Sequence, residues 1–537
     1  MNRNVFLDRR GVWAFVLGCL AVTIGVLLHI PMFWMGKDNG FVLVGMPMDA
    51  GMLFGMFLIV AGIGFAAYGL LPLEFSPASA QRVAVFAPED APLSLAHWGL
   101  MLVLVVALII DVMKPASLGF VMPGMTREYA VPKATAALVP FFALVGTVVG
   151  SVLWGALADL YGRKASILLS AVMFVGTSIC GAMPSLAWNV GMCFLMGAAA
   201  GGMLPVTYAL LAETMPSRHR GWALVLVGGL GAVGGYFAAS IFSYLLVPIL
   251  SWRILWLMNL PSGLLLIALG AFIPESAKFL LARGRNHEAH QVMARFGTVT
   301  HVLAEDEEDE SDILNHPHPP HADAHHPEPS LWTPGLIGKT AALSLAALAW
   351  GLINFGLLLW LPADLEAKHY SVALASRLLA ESALIAFPTV FLCAYLYTRW
   401  STKWSLVSLI IVTFLGLVGV LLLDGHASLS PVLPVALLII GSNGILAILL
   451  PYTSETYPLH IRGRGTGWVA ACTKGGGVLA QSLSIAALAP PMGLAALLIM
   501  APILATLALF IKYGTETRGL DLRTLETSRR KHPGRGG

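Results

Sequence analysis

The chain has 537 residues, of which 57% are hydrophobic and 11% charged, with a net charge of +3. Soluble domains carry roughly 25% charged residues. Together with a mean hydropathy of +0.79, the shortfall excludes a soluble enzyme or nucleic-acid-binding protein and places the chain in a lipid bilayer.

A spanning helix needs about 20 predominantly apolar residues. Fourteen runs are predicted as spans: 12–34, 50–73, 97–121, 136–157, 166–183, 188–211, 222–248, 253–273, 336–361, 374–397, 404–423, 431–452, 466–488 and 492–512. The first follows Arg9 and Arg10. It is too long for a signal-peptide core and no small-residue cleavage site follows, which predicts a retained helix. Basic residues mark the cytoplasmic side. With both termini inside, Arg3, Arg9, Arg10, Arg163, Lys164, Arg218, Arg220, the cations from Lys278 to Arg295, Arg399, Lys403, Arg462, Arg464 and Arg529-Arg530-Lys531 fall on that side. The opposite loops carry mainly Lys37, Arg127 and Lys133. The expectation is a multi-pass protein of the inner (plasma) membrane. Cys19, Cys180, Cys193, Cys393 and Cys472 lie in apolar runs without paired spacing and read as packing residues.

The third run carries Asp111 and Lys114. A charge at the bilayer centre costs about 3 kcal/mol on insertion scales, and residues three apart share a helix face, so each offsets the other. Pro115 follows and lacks the N–H that the Asp111 carbonyl would accept. A kink is expected there, beside a water-filled cavity. The pair reads as a proton or substrate site; the competing reading is a self-neutralised pair with no transport role.

Gly155-Ala-Leu-Ala-Asp159-Leu-Tyr-Gly162-Arg163-Lys164 follows the fourth run. It reads as a short polar hinge whose glycines allow a bend and close helix approach, with Asp159 facing the basic pair. Further on, Glu213-Thr-Met-Pro216-Ser-Arg-His-Arg220-Gly221 and Glu455-Thr-Tyr-Pro458-Leu-His-Ile-Arg462-Gly463 share E-T-x-P-x-x-x-R-G. Two copies at equivalent places predict that spans three to eight and nine to fourteen are duplicated six-helix halves with a substrate site between them.

The pattern G-x-x-x-D-x-x-G-R-K resembles the signature loop of the major facilitator superfamily of transporters. Pro274-Glu275-Ser276-Ala-Lys278-Phe-Leu-Leu-Ala-Arg283-Gly284-Arg285 and Glu516-Thr-Arg518-Gly519 resemble elements of that family's sugar-porter and metabolite branch. The resemblance covers about 95–526 and implies an all-α membrane protein, a two-half bundle of 12 core helices, here with two extra N-terminal helices. The predicted division is 1–94 (extra helices and linker), 95–273 and 336–513 (the halves), 274–335 (cytoplasmic loop) and 514–537 (tail). Gly155, Asp159, Gly162, Arg163, Lys164, Glu213, Arg220, Glu455 and Arg462 then form a cytoplasmic gate, a charge latch that breaks as the halves rock. The competing reading is plain topology: basic loops and helix caps. By resemblance Asp159 and Arg163 are central to the latch. The matching hinge of the second half, Tyr397-Thr-Arg399-Trp-Ser-Thr-Lys403, lacks the glycines and the aspartate, which predicts a one-sided latch. Cys193 stands where the family's fourth core helix usually has arginine, and Lys114 is the candidate replacement.

Residues 305–329 are acidic, then His/Pro-rich, and read as a solvated linker with adventitious metal affinity; the competing reading is capture of a divalent metal by the clustered histidines. Lys474, followed by Gly475-Gly476-Gly477, lies too deep in its run to snorkel and is expected to face the cavity. With Lys114 it favours an acidic substrate. Glu381, Asn354, Asn443, Tyr208, Tyr236 and Gln481 are further cavity candidates; helix–helix hydrogen bonds are the competing reading for each. Trp350 and Trp360 either stack on substrate or anchor at the interface. No G-x-x-x-x-G-K-[ST] loop occurs, so the energy source is expected to be an ion gradient. The titratable groups show no catalytic spacing. The expected function is secondary active transport of an organic acid or sugar by a monomer without cofactor or metal, as proton symport by alternating access with Asp111 titrating. The alternatives are a proton-coupled drug exporter and a transporter-like sensor signalling through 305–329.

Overall fold

The computed structural model describes residues 9–71, 83–86, 91–302, 331–333, 335–425, 430–457 and 459–518. The 305–329 tract and the basic tail lie outside the described residues, as does the side chain of Arg462. The principal helices are α1 (Arg9–Leu27), α2 (Ala50–Leu70), α3 (Leu95–Glu128), α4 (Leu138–Tyr161), α5 (Arg163–Gly176), α6 (Leu186–Ala200), α7 (Met203–Thr214), α8 (Ser217–Leu250) and α9 (Asn259–Leu269). Two short ones, α10 (Ala277–Ala282) and α11 (Asn286–Phe296), precede α12 (Ile337–Leu352), α13 (Leu358–Ala367), α14 (Val372–Arg399), α15 (Thr402–Gly425), α16 (Val432–Thr456), α17 (Leu459–Ile485) and α18 (Met492–Tyr513). A two-stranded antiparallel ribbon pairs β1 (Val83–Phe86) with β2 (Val299–Val302).

Among the described residues twelve helical segments are long and apolar enough to cross a membrane, two fewer than expected. The expected 253–273 span is split into Ile254–Leu257 and α9; Pro261 has no N–H to return to the Leu257 carbonyl. α17 is long, but Lys474, three glycines and Gln481 dilute its hydropathy. The expected hinge at 155–164 is also shorter than predicted. Gly155 and Asp159 are helical, and the chain turns at Gly162 alone, at φ +103°. The 188–211 run breaks at Gly201-Gly202. α3 continues as a helix through Pro115 and Pro123.

α1 and α2 form an antiparallel hairpin because their glycines recur every seven residues: Gly11, Gly18 and Gly25 against Gly69, Gly62 and Gly55. A Cβ on Gly18 would stand 2.6 Å from the Gly62 carbonyl oxygen, and one on Gly25 2.6 Å from that of Gly55. Small residues at this spacing let backbones approach closely, which is how helices associate where lipid removes the hydrophobic drive. The hairpin packs Phe15, Val22, Ile59 and Ala66 against Leu168, Val172 and Val175 of α5.

The helices from α3 to α9 and from α12 to α18 meet along α8 with α14, α3 with α13, and α4 with α17. On the face away from the basic loops this seam is shut. Arg127 and Glu366 form an ion pair at 2.7 Å, the Ser243 and Ser376 hydroxyls are 2.8 Å apart, and Gly119 lies against the Leu359 carbonyl. Leu144 of α4 touches the backbone of Gly477 on α17. Three turns further along the same stripe, nothing lies within 4 Å of where a Gly155 Cβ would stand, nor of Gly463 or Gly467. α4 and α17 therefore splay apart toward the basic loops, and Asp159 is left 78% exposed.

Candidate functional site

α3 and α17 bring Asp111 and Lys474 within electrostatic reach of each other across the seam, and Lys114 also acts on Asp111. Neither ammonium makes an ion pair with the carboxylate, and Asp111 Oδ1 and Lys114 Nζ have no hydrogen-bond partner. Beside Lys474 are two aromatic faces: its Nζ is 5.3 Å from the Phe355 ring centre and 6.0 Å from that of Trp350. Those rings meet edge to face, with centres 5.6 Å apart. Phe355 and Asn354 sit in a π-helical turn, Ile353–Leu357, between α12 and α13; such turns redirect side chains and mark functional sites. The Asn354 amide donates to the Trp350 carbonyl at 3.1 Å. Gln481 Nε2 donates to the Phe355 carbonyl, which leaves its Oε1 unpartnered.

Lys114 turns elsewhere. Its ammonium sits on the ring of Phe174 in α5. Tyr236 packs near Phe120 with its hydroxyl unpartnered. The Tyr208 hydroxyl abuts Gly228, at the packing of α7 on α8. Asn443 is buried in α16. Glu381 pairs with Arg377 at 2.8 Å on an exposed stretch of α14 and does not join Asp111. The Trp360 indole N–H is buried without a partner. Among the described residues no group of three His, Cys, Asp or Glu could hold a metal ion.

On the basic side a second cluster assembles. Arg163 reaches Asp159 at 3.4 Å and Glu213 at 3.2 Å. Glu275 caps α5, accepting from the Arg163 N–H at 2.8 Å and the Ser276 N–H at 2.9 Å. A Cβ at Gly162 would collide with its carboxylate, so glycine is required there for space as well as for φ. The Ser276 hydroxyl donates to Glu213.

The other group of helices repeats this plan with neutral donors. Glu516 caps α15, accepting from the Thr402 N–H at 3.0 Å and the Thr402 hydroxyl at 2.7 Å. The Thr517 hydroxyl donates to Glu455 at 2.7 Å, as Ser276 does to Glu213, and the Tyr397 hydroxyl donates to Glu455 at 2.8 Å. Tyr397 thus does for Glu455 what Arg163 does for Glu213. The hydrogen-bond network recurs in both groups, with a guanidinium donor in one and hydroxyl donors in the other. Arg220 interacts with Glu455 across the seam. Glu275, Glu516, Tyr397 and Phe355 were not among the expected site residues, although the first three stand in the stretches quoted above. The E-S and E-T pairs that follow α9 and α18 are the shared signal at Glu275 and Glu516.

The two caps titrate differently. Burial pushes the Glu275 carboxyl up to about 7, against the backbone N–H groups and Arg163 that favour its charge. Partial burial works to raise Glu516, but hydrogen bonds from Ser401, Thr402 and the Arg518 N–H outweigh it and hold it near 2. A carboxyl raised by folding binds its proton more tightly folded than unfolded. Its stabilising contribution is therefore full below the ordinary value of 4.5 and is lost as pH rises toward 7. The expected result is that Glu275→Gln flattens a fall in melting temperature between pH 5 and 7.5, a difference of a few kcal/mol at most. Melting curves of both proteins across that range check it.

A family model described as the Major Facilitator Superfamily matches residues 100–481. The niacin transporter NiaP of Acinetobacter baylyi is 26% identical over 450 residues, covering 81% of this chain and 98% of that protein. The benzoate transport protein of the same organism is 24% identical over 404 residues, covering 74% and 84%. Among solved structures, a partially occluded inward-open form of the xylose transporter XylE from E. coli superposes with a TM-score of 0.62 at 15% identity, over 80% of this chain and all of that one.

Proposed function

The chain belongs to the major facilitator superfamily, and on that premise we propose that it is a proton-coupled symporter of small aromatic carboxylates. The reading places it in the inner membrane as a monomer with both termini cytoplasmic. Its two six-helix halves, α3–α9 and α12–α18, exchange access by rocking, and α1 and α2 are two additional spans ahead of them. The closed seam at Arg127–Glu366 and the splayed α4 and α17 fit a state open toward the cytoplasm. The Asp159, Arg163, Glu213, Arg220 and Glu455 cluster is the part that must close in the opposite state, and Arg462 is its further candidate.

The observation that carries the reading is the Asp111–Lys474 couple beside Trp350 and Phe355. In the empty transporter Asp111 is the counter-charge of Lys474. A proton taken by Asp111 frees the ammonium, which then accepts a substrate carboxylate, while the rings offer an apolar face to an aromatic body. One proton and one anion enter, so the net charge of the site is unchanged between empty and loaded forms. Nicotinic acid and benzoic acid, the compounds in the relatives' names, share this chemistry: one ring, one carboxylate. A sugar would leave the ammonium unused.

Proteoliposomes with an imposed pH gradient test the proposal. Nicotinate or benzoate should accumulate, a protonophore should abolish accumulation, and xylose should not compete. Uptake of xylose with no uptake of either acid would overturn it. Lys474→Gln is expected to raise KM for the carboxylates about tenfold or more, the loss of a charge-assisted bond, while competition by the uncharged amides stays within about twofold.

A further inference from the structure

One cavity away from the central site combines charge with lipid-facing surface. It has a volume of about 140 Å³ and lies on the basic side, between the start of α5, the end of α9 and α11, lined by Lys164, Phe272, Pro274, Gln291, Val292 and Arg295. At ~30 Å³ per water this is room for roughly five waters, enough for a compact polar group.

The Lys164 side chain is the unusual feature. The residue is only 5% exposed, yet among the described residues its ammonium makes no hydrogen bond and no ion pair. The charges acting on it are Glu275 and Arg295. Glu275 stays beyond ion-pair distance and is engaged with the backbone N–H groups that begin α5 and α10. Arg295 adds a second positive charge at the same cavity. It projects from the exposed side of α11, whose other side is buried through Ala289, Val292, Met293 and Phe296. Two cations thus meet with no anion between them. The opposite rim is apolar. Phe272 is 63% exposed and Leu265 49%, so the cavity opens where the lipid-facing surface of α9 ends.

We propose that this cavity binds the phosphate of an anionic phospholipid, held between Lys164 and Arg295, with the acyl chains lying along Phe272 and Leu265. A phosphodiester supplies the missing anion and accepts charge-assisted hydrogen bonds from both cations. Its attached chains use the apolar rim, which free phosphate would leave bare. Basic pockets between helices at the cytoplasmic face suit such headgroups. Because Lys164 adjoins Arg163 at the start of α5, the bound lipid also fixes the segment from which Arg163 reaches Glu213. The site is separate from the transported substrate, so neither proposal stands or falls with the other.

The test uses the full chain in detergent, with phosphatidylglycerol, phosphatidylcholine or inorganic phosphate added and binding read by native mass spectrometry and by melting temperature. Phosphatidylglycerol should be retained and should raise the melting temperature, whereas the other two should not. Arg295→Gln, at an exposed position, should melt like wild type without lipid and bind phosphatidylglycerol about fivefold more weakly, one surface cation's share; Arg295→Lys should keep most of the affinity. Equal phosphatidylglycerol affinity in wild type and Arg295→Gln would overturn the site. An equal effect of phosphatidylcholine would overturn the need for an anion, and reproduction of the shift by inorganic phosphate alone would overturn the lipid.

Discussion

Asp111→Asn is expected to abolish uphill uptake while leaving substrate binding intact. In the proposed cycle one proton and one carboxylate move together without net charge, so the gradient of pH alone drives accumulation. Each pH unit is worth about 1.4 kcal/mol, which sustains roughly tenfold accumulation. Asparagine matches aspartate in shape but never ionises. Its Lys474 is permanently free, so the anion binds without a proton and nothing ties its return to proton release. The accumulation ratio should fall from about tenfold per pH unit to about one, whereas exchange of labelled for unlabelled substrate across equal concentrations continues. Imposing a membrane potential without a pH gradient should drive no accumulation by the wild type, whereas the variant, which moves the anion without its proton, should respond to it. If Asp111→Asn still concentrates substrate in proportion to the pH gradient, the proton travels on another group.

The division of labour between the two intramembrane lysines shows what was legible in the sequence. A cation deep in an apolar run is costly whatever it faces, so the run alone marks Asp111, Lys114 and Lys474 as positions in need of an explanation. Which way each side chain turns depends on neighbours from distant helices. Lys114 follows Asp111 by less than one turn, yet its ammonium goes to Phe174 of α5. Lys474, more than 350 residues along the chain, is the one beside Trp350 and Phe355. Phe355 gave no signal, because a phenylalanine in an apolar run is ordinary, and only the π-helical turn makes it part of the site. Glu381 misled for the converse reason. Its partner Arg377 lies one turn earlier on the same exposed stretch, which makes a local ion pair of the kind helix surfaces carry. The duplicated E-T-x-P motif was legible because each copy marks where one helix ends and the next begins, Thr214 to Ser217 and Thr456 to Leu459. The replacement of Arg163 by Tyr397 was not, since the two side chains approach their glutamates from different positions in the hinge.

The largest stability loss is expected from Arg253→Ala, at the far face from the basic loops. Arg253 and Glu128 are an ion pair at 2.6 Å whose side chains are 0% and 5% exposed. Arg253 also donates to the Met183 carbonyl at 2.8 Å, and Glu128 accepts from the Trp252 indole and from the Leu43 N–H, each at 2.9 Å. The pair therefore joins the end of α3, the segment before Ile254 and the loop between α1 and α2. Deleting one partner of a buried pair leaves an uncompensated charge and costs about 3–5 kcal/mol. Glu128 would then retain neutral donors only, and the docking of Leu43 would weaken with it. Arg253→Ala and Glu128→Ala should each lower the melting temperature sharply. Arg253→Met with Glu128→Leu should recover most of the loss, because replacing both charges by apolar groups of similar size is often neutral. The contrast separates this pair from Arg127–Glu366, an exposed pair on the same face worth about 0–1 kcal/mol. There Arg127→Ala should leave the melting temperature within about a degree of wild type. If Arg253→Ala behaves like Arg127→Ala, the pair is not the joint that holds the N-terminal hairpin to α3, and the hairpin depends on its glycine contacts and on α5 alone.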